Sequence, residues 1–307
     1  MEALFIGQSY IDITFLCDEL PHGDQKTRAE DYAVSFGGNA VTAAFTCAKL
    51  GIKSDLLCTM ADDWLAHMFR DMANRYPIRL HGRKVKESSL SFIMPNDGHR
   101  AVVRCRDNDF IHPLPQLRLD GCRALHIDGH MPDAALHYAR QARGAGMLTS
   151  FDGGAYRCDT DEILQYIDVA VVSELFCDQM QLGYLETLNY LRSKGVKVGG
   201  VTLGPYGMLW YEHSNAPQHM PALAVSPDQT RDSNGAGDIF HGAYLYSYLK
   251  HPKRSWLEHF QFARAASAHS LHFLGNEASL PRLTDIEDAA NCLPLSTLRP
   301  AGALHPT

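Results

Sequence analysis

The sequence predicts an α/β fold: a mostly parallel central sheet with helices on both faces, and a small β-sheet lid. Three observations carry this expectation. Short apolar runs alternate with helical patterns along most of the chain, as strand–helix–strand units require. Glycine or proline closes several of those segments. Two β-rich stretches, roughly residues 11–35 and 88–112, break the rhythm and supply the lid. With 307 residues, 45% apolar and 21% charged, the chain can bury one large core and lacks the signature of disorder.

The elements follow in order. Ala3 to Ile6 is a continuous apolar run ending at Gly7, which reads as a buried strand. Gly37-Gly38 opens a helical pattern from Ala40 to Leu50, ended by Gly51. Ser54 to Thr59 is the next strand, and Trp64 to Tyr76 has helical spacing that Pro77 stops. Ser88 to Met94 and Ala101 to Cys105 flank Asn96-Asp97-Gly98, a hairpin signal. Beyond residue 120 come strand Ala124–Ile127, helix Pro132–Gly146, strand Leu148–Phe151, helix Thr160–Tyr166 and strand Val169–Val172. Then follow helix Glu186–Ser193, strand Val198–Leu203, a hairpin-like Gly207–Glu212, and helices Ala236–Lys250 and Trp256–Phe273. One α/β domain over residues 1–292 is expected, with an irregular, partly mobile tail over residues 293–307.

A net charge of −7 gives no drive toward nucleic acid or anionic membrane, both of which reward clustered Lys and Arg. A small polar substrate fits better. The eight cysteines are scattered, with no close pair for a zinc knuckle or redox motif. No apolar run reaches the length of about 18 residues that a spanning helix needs, and the N-terminus lacks a basic start followed by an apolar run. A cytoplasmic location is expected.

Chemistry concentrates in one segment. Gly235-Ala236-Gly237 stands just before a helix, where backbone N–H groups lack partners and absent side chains allow an anion to approach. Asp238 follows in the first turn. A carboxylate there repels phosphate unless it serves as a base, taking the proton of a hydroxyl set between it and a transferred phosphoryl group. The alternative is an ordinary helix start with Asp placed favourably against the dipole.

The wider segment Asp232-Ser233-Asn234-Gly235-Ala236-Gly237-Asp238-Ile239-Phe240-His241-Gly242 resembles the C-terminal signature of the ribokinase-like (PfkB) carbohydrate kinases. Gly37-Gly38-Asn39 through Ala48-Lys49-Leu50-Gly51 resembles their N-terminal signature, and Thr202-Leu203-Gly204-Pro205-Tyr206-Gly207 their nucleotide-side loop. The resemblance covers roughly residues 3–290 and implies a ribokinase-like fold and transfer of the ATP γ-phosphate to a sugar hydroxyl. It implies Asp238 as base and the amides of Gly235, Ala236 and Gly237 as the anion hole. Asp12, Gly37, Gly38, Asn39 and Thr42 would meet the sugar, and Ser173, Glu174, Thr202, Gly204 and Gly207 the nucleotide. Mg²⁺ would come with ATP, with Glu174 reaching it through water, and Asp232 would help order a monovalent cation such as K⁺.

Two departures bear on the substrate. Thr42 stands where many members carry asparagine, and Ser173-Glu174-Leu175-Phe176 replaces an Asn with Glu three residues on. Both are similar to the sulfofructose kinase branch. Arg100, Arg104 and Arg106 alternate along the second half of the lid and could clamp a phosphate or sulfonate; solvated strand-face arginines are the bland reading. Asp128 and His130 end a strand, at the edge where open α/β sheets place ligands. Of the sixteen histidines, His112, His126, His137, His251 and His269 form no metal-ligand spacing and are read as structural or surface groups. Tyr244, Tyr246 and Tyr248 read as packing. Besides the neutral-sugar kinase, the open readings are a kinase of an anionic sugar (a sugar phosphate or a sulfosugar such as sulfofructose), a nucleoside kinase, and a catalytically weak sugar or nucleotide-binding regulator. An exposed lid edge suggests a homodimer through the lid.

Overall fold

A computed structural model describes residues 1–17, 21–96 and 99–299. In chain order the strands are β1 (Ala3–Gly7), β2 (Tyr10–Leu16), β3 (Asp31–Gly37), β4 (Ser54–Met60), β5 (Ile78–Lys84), β6 (Ser89–Asn96), β7 (His99–Cys105), β8 (Ala124–Ile127), β9 (Leu148–Gly153), β10 (Val169–Ser173), β11 (Val198–Thr202), β12 (Met208–Glu212) and β13 (Gln218–Met220). The helices are α1 (Asn39–Lys49), α2 (Trp64–Ala73), α3 (Pro132–Gly144), α4 (Thr160–Leu164), α5 (Glu174–Met180), α6 (Tyr184–Ser193), α7 (Ala236–Lys250), α8 (Trp256–Ser270), α9 (Asn276–Ser279) and α10 (Leu283–Cys292).

The main sheet runs β13-β12-β11-β10-β9-β8-β1-β4-β5. From β5 to β11 every ladder is parallel, and β12 and β13 add an antiparallel edge. Alternate residues of β1 feed opposite faces, because successive side chains of a strand point apart. Ala3 and Phe5 join Val41 of α1, Tyr244 of α7 and Phe260 of α8. Leu4 and Ile6 join Tyr138 of α3, Ile163 of α4 and Leu188 of α6. This is the expected helix-covered sheet.

The small sheet has the order β3-β2-β6-β7. β2 pairs antiparallel with β3 and parallel with β6, and β6 pairs antiparallel with β7. The expected β-rich stretches thus meet in one sheet, although residues 21–30 and 106–112 lie outside its ladders. The β6–β7 ladder closes at Asn96 opposite His99; of the expected Asn96-Asp97-Gly98 turn, residues 97 and 98 lie outside the described residues.

Several elements escaped the sequence reading. β5, an edge strand of the main sheet, carries Arg79 and Lys84 exposed, while Arg83 is buried and paired with Asp133 at 2.6 Å, so no apolar run marks the strand. α5 is short and starts at Ser173, whose side chain accepts from the Phe176 amide, the ordinary N-cap arrangement. The start of the tail is irregular yet has partners across the chain. Leu295 bridges Leu223, the Ala224 amide donates to the Pro294 carbonyl at 2.8 Å, and the Ser296 amide donates to Ala222 at 2.8 Å. Residues 300–307 of the tail lie outside the described residues.

Candidate active site

The chain enters α7 through Gly235, at φ +75°. A Cβ at this position would fall 2.2 Å from Oδ1 of Asn276, so both the conformation and the space require glycine. No side chain caps α7, and around Gly237 the space a Cβ would enter is open. Of the amides here, that of Ala236 donates to the Ser233 carbonyl at 3.4 Å, and the positive end of the helix dipole lies beside the open space, which favours negative charge there. Asp238 lies in that turn and is partly exposed, whereas Ile239, Phe240 and His241 are buried. Burial of the residues beyond it fixes the helix register and leaves Asp238 on the open side.

Asp12, on β2, is tied to this turn. Its Oδ2 accepts from Asn234 Nδ2 at 3.3 Å and from Asn276 Nδ2 at 3.1 Å. Burial raises the Asp12 pKa, against the lowering pull of Ser91, Arg104, Asn234 and Asn276. Gly37 at the end of β3 leaves room for this carboxyl, since a Cβ there would fall 2.3 Å from its carbon. Gly38 turns the chain at φ +107°, where a Cβ would meet the Gln8 carbonyl oxygen at 2.0 Å. Asn39 then starts α1 and donates to Asp152 Oδ2 at 3.2 Å. Thr42 is fully buried, its methyl 3.6 Å from the point a Gly235 Cβ would occupy. Thr42 thus packs between α1 and the Gly235 turn.

Asp128 follows β8 beneath the start of α1. Its Oδ2 accepts from the Ala40 amide at 3.3 Å and its Oδ1 from the His130 amide at 3.0 Å. His130 Nε2 in turn lies 2.8 Å from Arg157 Nη2. Burial pushes the Asp128 pKa up, but His130 and Arg157 more than offset it and hold the group below the usual carboxylate range. Asp152, at the end of β9, goes the other way. Burial, helped by the charge of Asp128, raises its pKa far above that range despite the bond from Asn39. Two buried carboxyls thus favour opposite protonation states.

Arg104 stands opposite Ser91 in the β6–β7 ladder, with its guanidinium 5.5 Å from the Tyr10 ring centre. Burial raises the Tyr10 pKa, while the charges of Arg104 and Arg106, and a hydrogen bond from Arg106, oppose it. Both arginines therefore converge on the residue two places before Asp12, although Arg106 lies past the end of β7. The side chain of Arg100 lies outside the described residues.

The residues expected at the nucleotide end the neighbouring strands β10 and β11. Ser173 donates to the Gly154 carbonyl at 3.0 Å, and Glu174 accepts from the Tyr184 hydroxyl at 2.8 Å. Thr202 donates to Val172 at 3.3 Å. Gly204 and Gly207 take φ +51° and +90°, and a Cβ on Gly207 would meet the Met220 carbonyl at 2.1 Å. Asp232 accepts from the Asn234 amide at 2.8 Å and the Gly275 amide at 3.2 Å, which binds the Gly235 turn to the α9 loop.

The profile of the pfkB family of carbohydrate kinases matches residues 2–282. The chain belongs to this family. It is accordingly a phosphotransferase with an alcohol acceptor. Ribokinase of Mus musculus is 22% identical over 309 residues, covering 92% of each chain. The ATP-dependent ribose-1-phosphate kinase of Halopiger xanaduensis is 25% identical over 261 residues, 81% of this chain and 85% of its own. Among solved structures, ribokinase of Thermotoga maritima superposes with a TM-score of 0.77 at 22% identity, over 94% of this chain and 99% of that one. That likeness is one of fold, and it agrees with the ribokinase-like architecture expected from the motifs.

Within this pfkB member, sequence reasoning missed Asn276, Asp152 and Arg157, and passed over Asn234 inside the motif it quoted. Asn276 lies 42 residues after Asn234 and carries no local pattern, yet its side chain joins Asp12, Asn234 and the Phe36 carbonyl. Only the folded chain brings these together. Phe176, which replaces an acidic residue of the family pattern, is fully buried and packs edge-on against Tyr156 at 5.6 Å. It serves the core. Of the residues expected to meet the family's metals, Glu174 accepts from Tyr184 and each Asp232 oxygen accepts from one amide, which leaves each carboxylate a lone pair for a cation or its water. This fits a Mg²⁺ carried chiefly by phosphates and water.

Proposed function

We propose that this pfkB member is an ATP-dependent sugar kinase in which Asp238 takes the proton of an acceptor hydroxyl and the amides of Gly235, Ala236 and Gly237 hold the developing phosphate charge. The observation that carries the reading is the bond from Asn234 to Asp12. It joins the carboxyl set to grip the acceptor to the residue just before the turn set to take the phosphate.

In the proposed step the hydroxyl O–H bond breaks toward Asp238, the oxygen forms its bond to the γ-phosphorus, and the bond to the leaving ADP oxygen breaks. Asp12, Asn39, Asp128 and His130 would hold the sugar, with Gly37 and Gly38 letting the chain approach it and Thr42 backing the loop. Ser173, Thr202, Gly204 and Gly207 would line the nucleotide. Mg²⁺ bound with ATP would neutralise phosphate charge, with Glu174 as its contact through water, and Asp232 would help order K⁺. The small sheet would close over the acceptor and exclude water, which favours transfer over hydrolysis. Its outer face carries Phe15, Tyr32, Phe92 and Val103, and Tyr32 and Val103 are about two-thirds exposed, which supports a homodimer through this sheet. The reading places the enzyme in the cytoplasm.

A second reading, transfer to an already anionic sugar, is favoured by the convergence of Arg104 and Arg106 on Tyr10 and by the likeness to a ribose-1-phosphate kinase. ATP consumption across a panel of neutral, phosphorylated and sulfonated sugars tests both. Activity on some sugar supports the proposal, and none on any sugar removes it. If the acceptor is anionic, Arg104→Ala with Arg106→Ala should raise its KM at least tenfold while leaving that of a neutral sugar nearly unchanged; equal effects remove the second reading.

A further inference from the structure

Beneath the acceptor loop, three side chains that the phosphoryl transfer does not use meet in one buried place. They are His126 of β8, Asp152 of β9 and His241 of α7, at 1%, 4% and 4% exposure. One ligand atom from each lies within 4.8 Å of the other two. No spacing in the sequence predicts this, because the three come from separate elements and only the fold brings them together.

The arrangement around them orients both rings. His126 Nδ1 is 2.9 Å from Ser150 Oγ and His241 Nδ1 is 3.0 Å from the Tyr244 hydroxyl, and that hydroxyl is 2.5 Å from Ser150 Oγ. Both Nδ1 atoms are thus occupied by one small network, and each ring is left with its Nε2. His126 Nε2 is buried with no hydrogen-bond partner. His241 Nε2 lies 3.6 Å from Asp152 Oδ2, too far for a hydrogen bond. Two donors bound to one tetrahedral zinc ion, each about 2.0–2.2 Å from it, stand about 3.4 Å apart. The gap therefore suits a shared ion better than a direct contact. Asn39, which donates to Asp152 Oδ2 at 3.2 Å, orients this carboxyl, whose proton a bound ion would displace, and completes the outer partners that metal-binding side chains usually have.

We propose that His126, Asp152 and His241 form a buried binding site for a borderline divalent transition ion, Zn²⁺ foremost. Two imidazoles and one carboxylate suit Zn²⁺, whereas Mg²⁺ and Ca²⁺ prefer an all-oxygen set. With three protein ligands, a water would fill the fourth position. The ion would tie β8 and β9 to α7 three residues after Asp238, and it is distinct from the Mg²⁺ that accompanies ATP. The site does not depend on the kinase reading, since it rests on these side chains alone.

The test uses the full chain, stripped with a chelator and titrated with Zn²⁺ or Co²⁺, with bound metal counted by elemental analysis. About one ion per chain, a rise in the melting temperature of the wild type, and Co²⁺ absorption of a tetrahedral nitrogen–oxygen site are expected. His126→Asn and His241→Asn should lose the stoichiometric ion. Tyr244→Phe, which keeps the ring and removes only the outer partner, should weaken binding about 10–100-fold. No stoichiometric ion in the wild type would overturn the proposal, as would uptake undiminished in the two histidine variants. A thiolate charge-transfer band with Co²⁺ would place the ion on cysteine and overturn it equally.

Discussion

Gly235 shows how much one residue can decide. Its positive φ and the Asn276 oxygen 2.2 Å from where a Cβ would stand predict that Gly235→Ala costs about 1–3 kcal/mol of stability, read from urea unfolding, together with a loss of turnover because the turn must shift. Asp12 makes a pH prediction. Burial raises its folded pKa, so the folded state favours the protonated form. Its contribution to stability is fully present below the ordinary value of about 3.9 and is lost as pH rises through the folded pKa. The unfolding free energy of Asp12→Asn relative to wild type should therefore climb as pH rises above about 4 and then level off; a pH-independent difference would contradict the assigned burial. Gly235 and Asp238 were legible in the sequence because helix-start chemistry is local. Asn276 was not, since its partners Asp12 and Phe36 are 264 and 240 residues away.

Among the elements, those with strong local signals were legible and those whose form depends on neighbours were not. β1 is an apolar run closed by Gly7, and α1 is opened by Gly37-Gly38, whose tight approaches to Asp12 and Gln8 leave no room for a side chain. β5 has no such signal, because an edge strand can carry Arg79 and Lys84 without penalty. The beginning of the tail has no local signal for a similar reason: Pro294 and Leu295 have no periodicity, and their partners, Ala224 and Leu223, stand far earlier in the chain. Two backbone hydrogen bonds there, each worth about 1 kcal/mol net, predict that ending the chain after Leu293 lowers the melting temperature by about 2–4 °C. Differential scanning calorimetry of that truncation checks the loss, and an unchanged melting temperature would contradict it.

At the scale of the whole molecule, strand order explains where the site lies. From β1 the chain builds outward to β4 and β5, then returns to β8 on the other side of β1 and continues to β11. Such a reversal opens a crevice beyond the carboxyl ends of the two central strands. Gly7, Asp128 and the start of α1 meet there: the Ala40 amide reaches Asp128, and a Cβ on Gly7 would fall 2.1 Å from the same carboxylate. The parallel rhythm was readable from alternation, but the position of the reversal was not, since β-rich residues 88–105 intervene and belong to the other sheet. Nor could the sequence show that this second sheet carries Asp12 to Asn234, just before α7. The central claim is testable at the proposed base itself. Turnover of Asp238→Asn on the best acceptor, measured as sugar-dependent ADP release, should fall about 10²–10⁴-fold, with the KM for ATP and the unfolding midpoint little changed. Near-wild-type turnover in that variant would contradict the account.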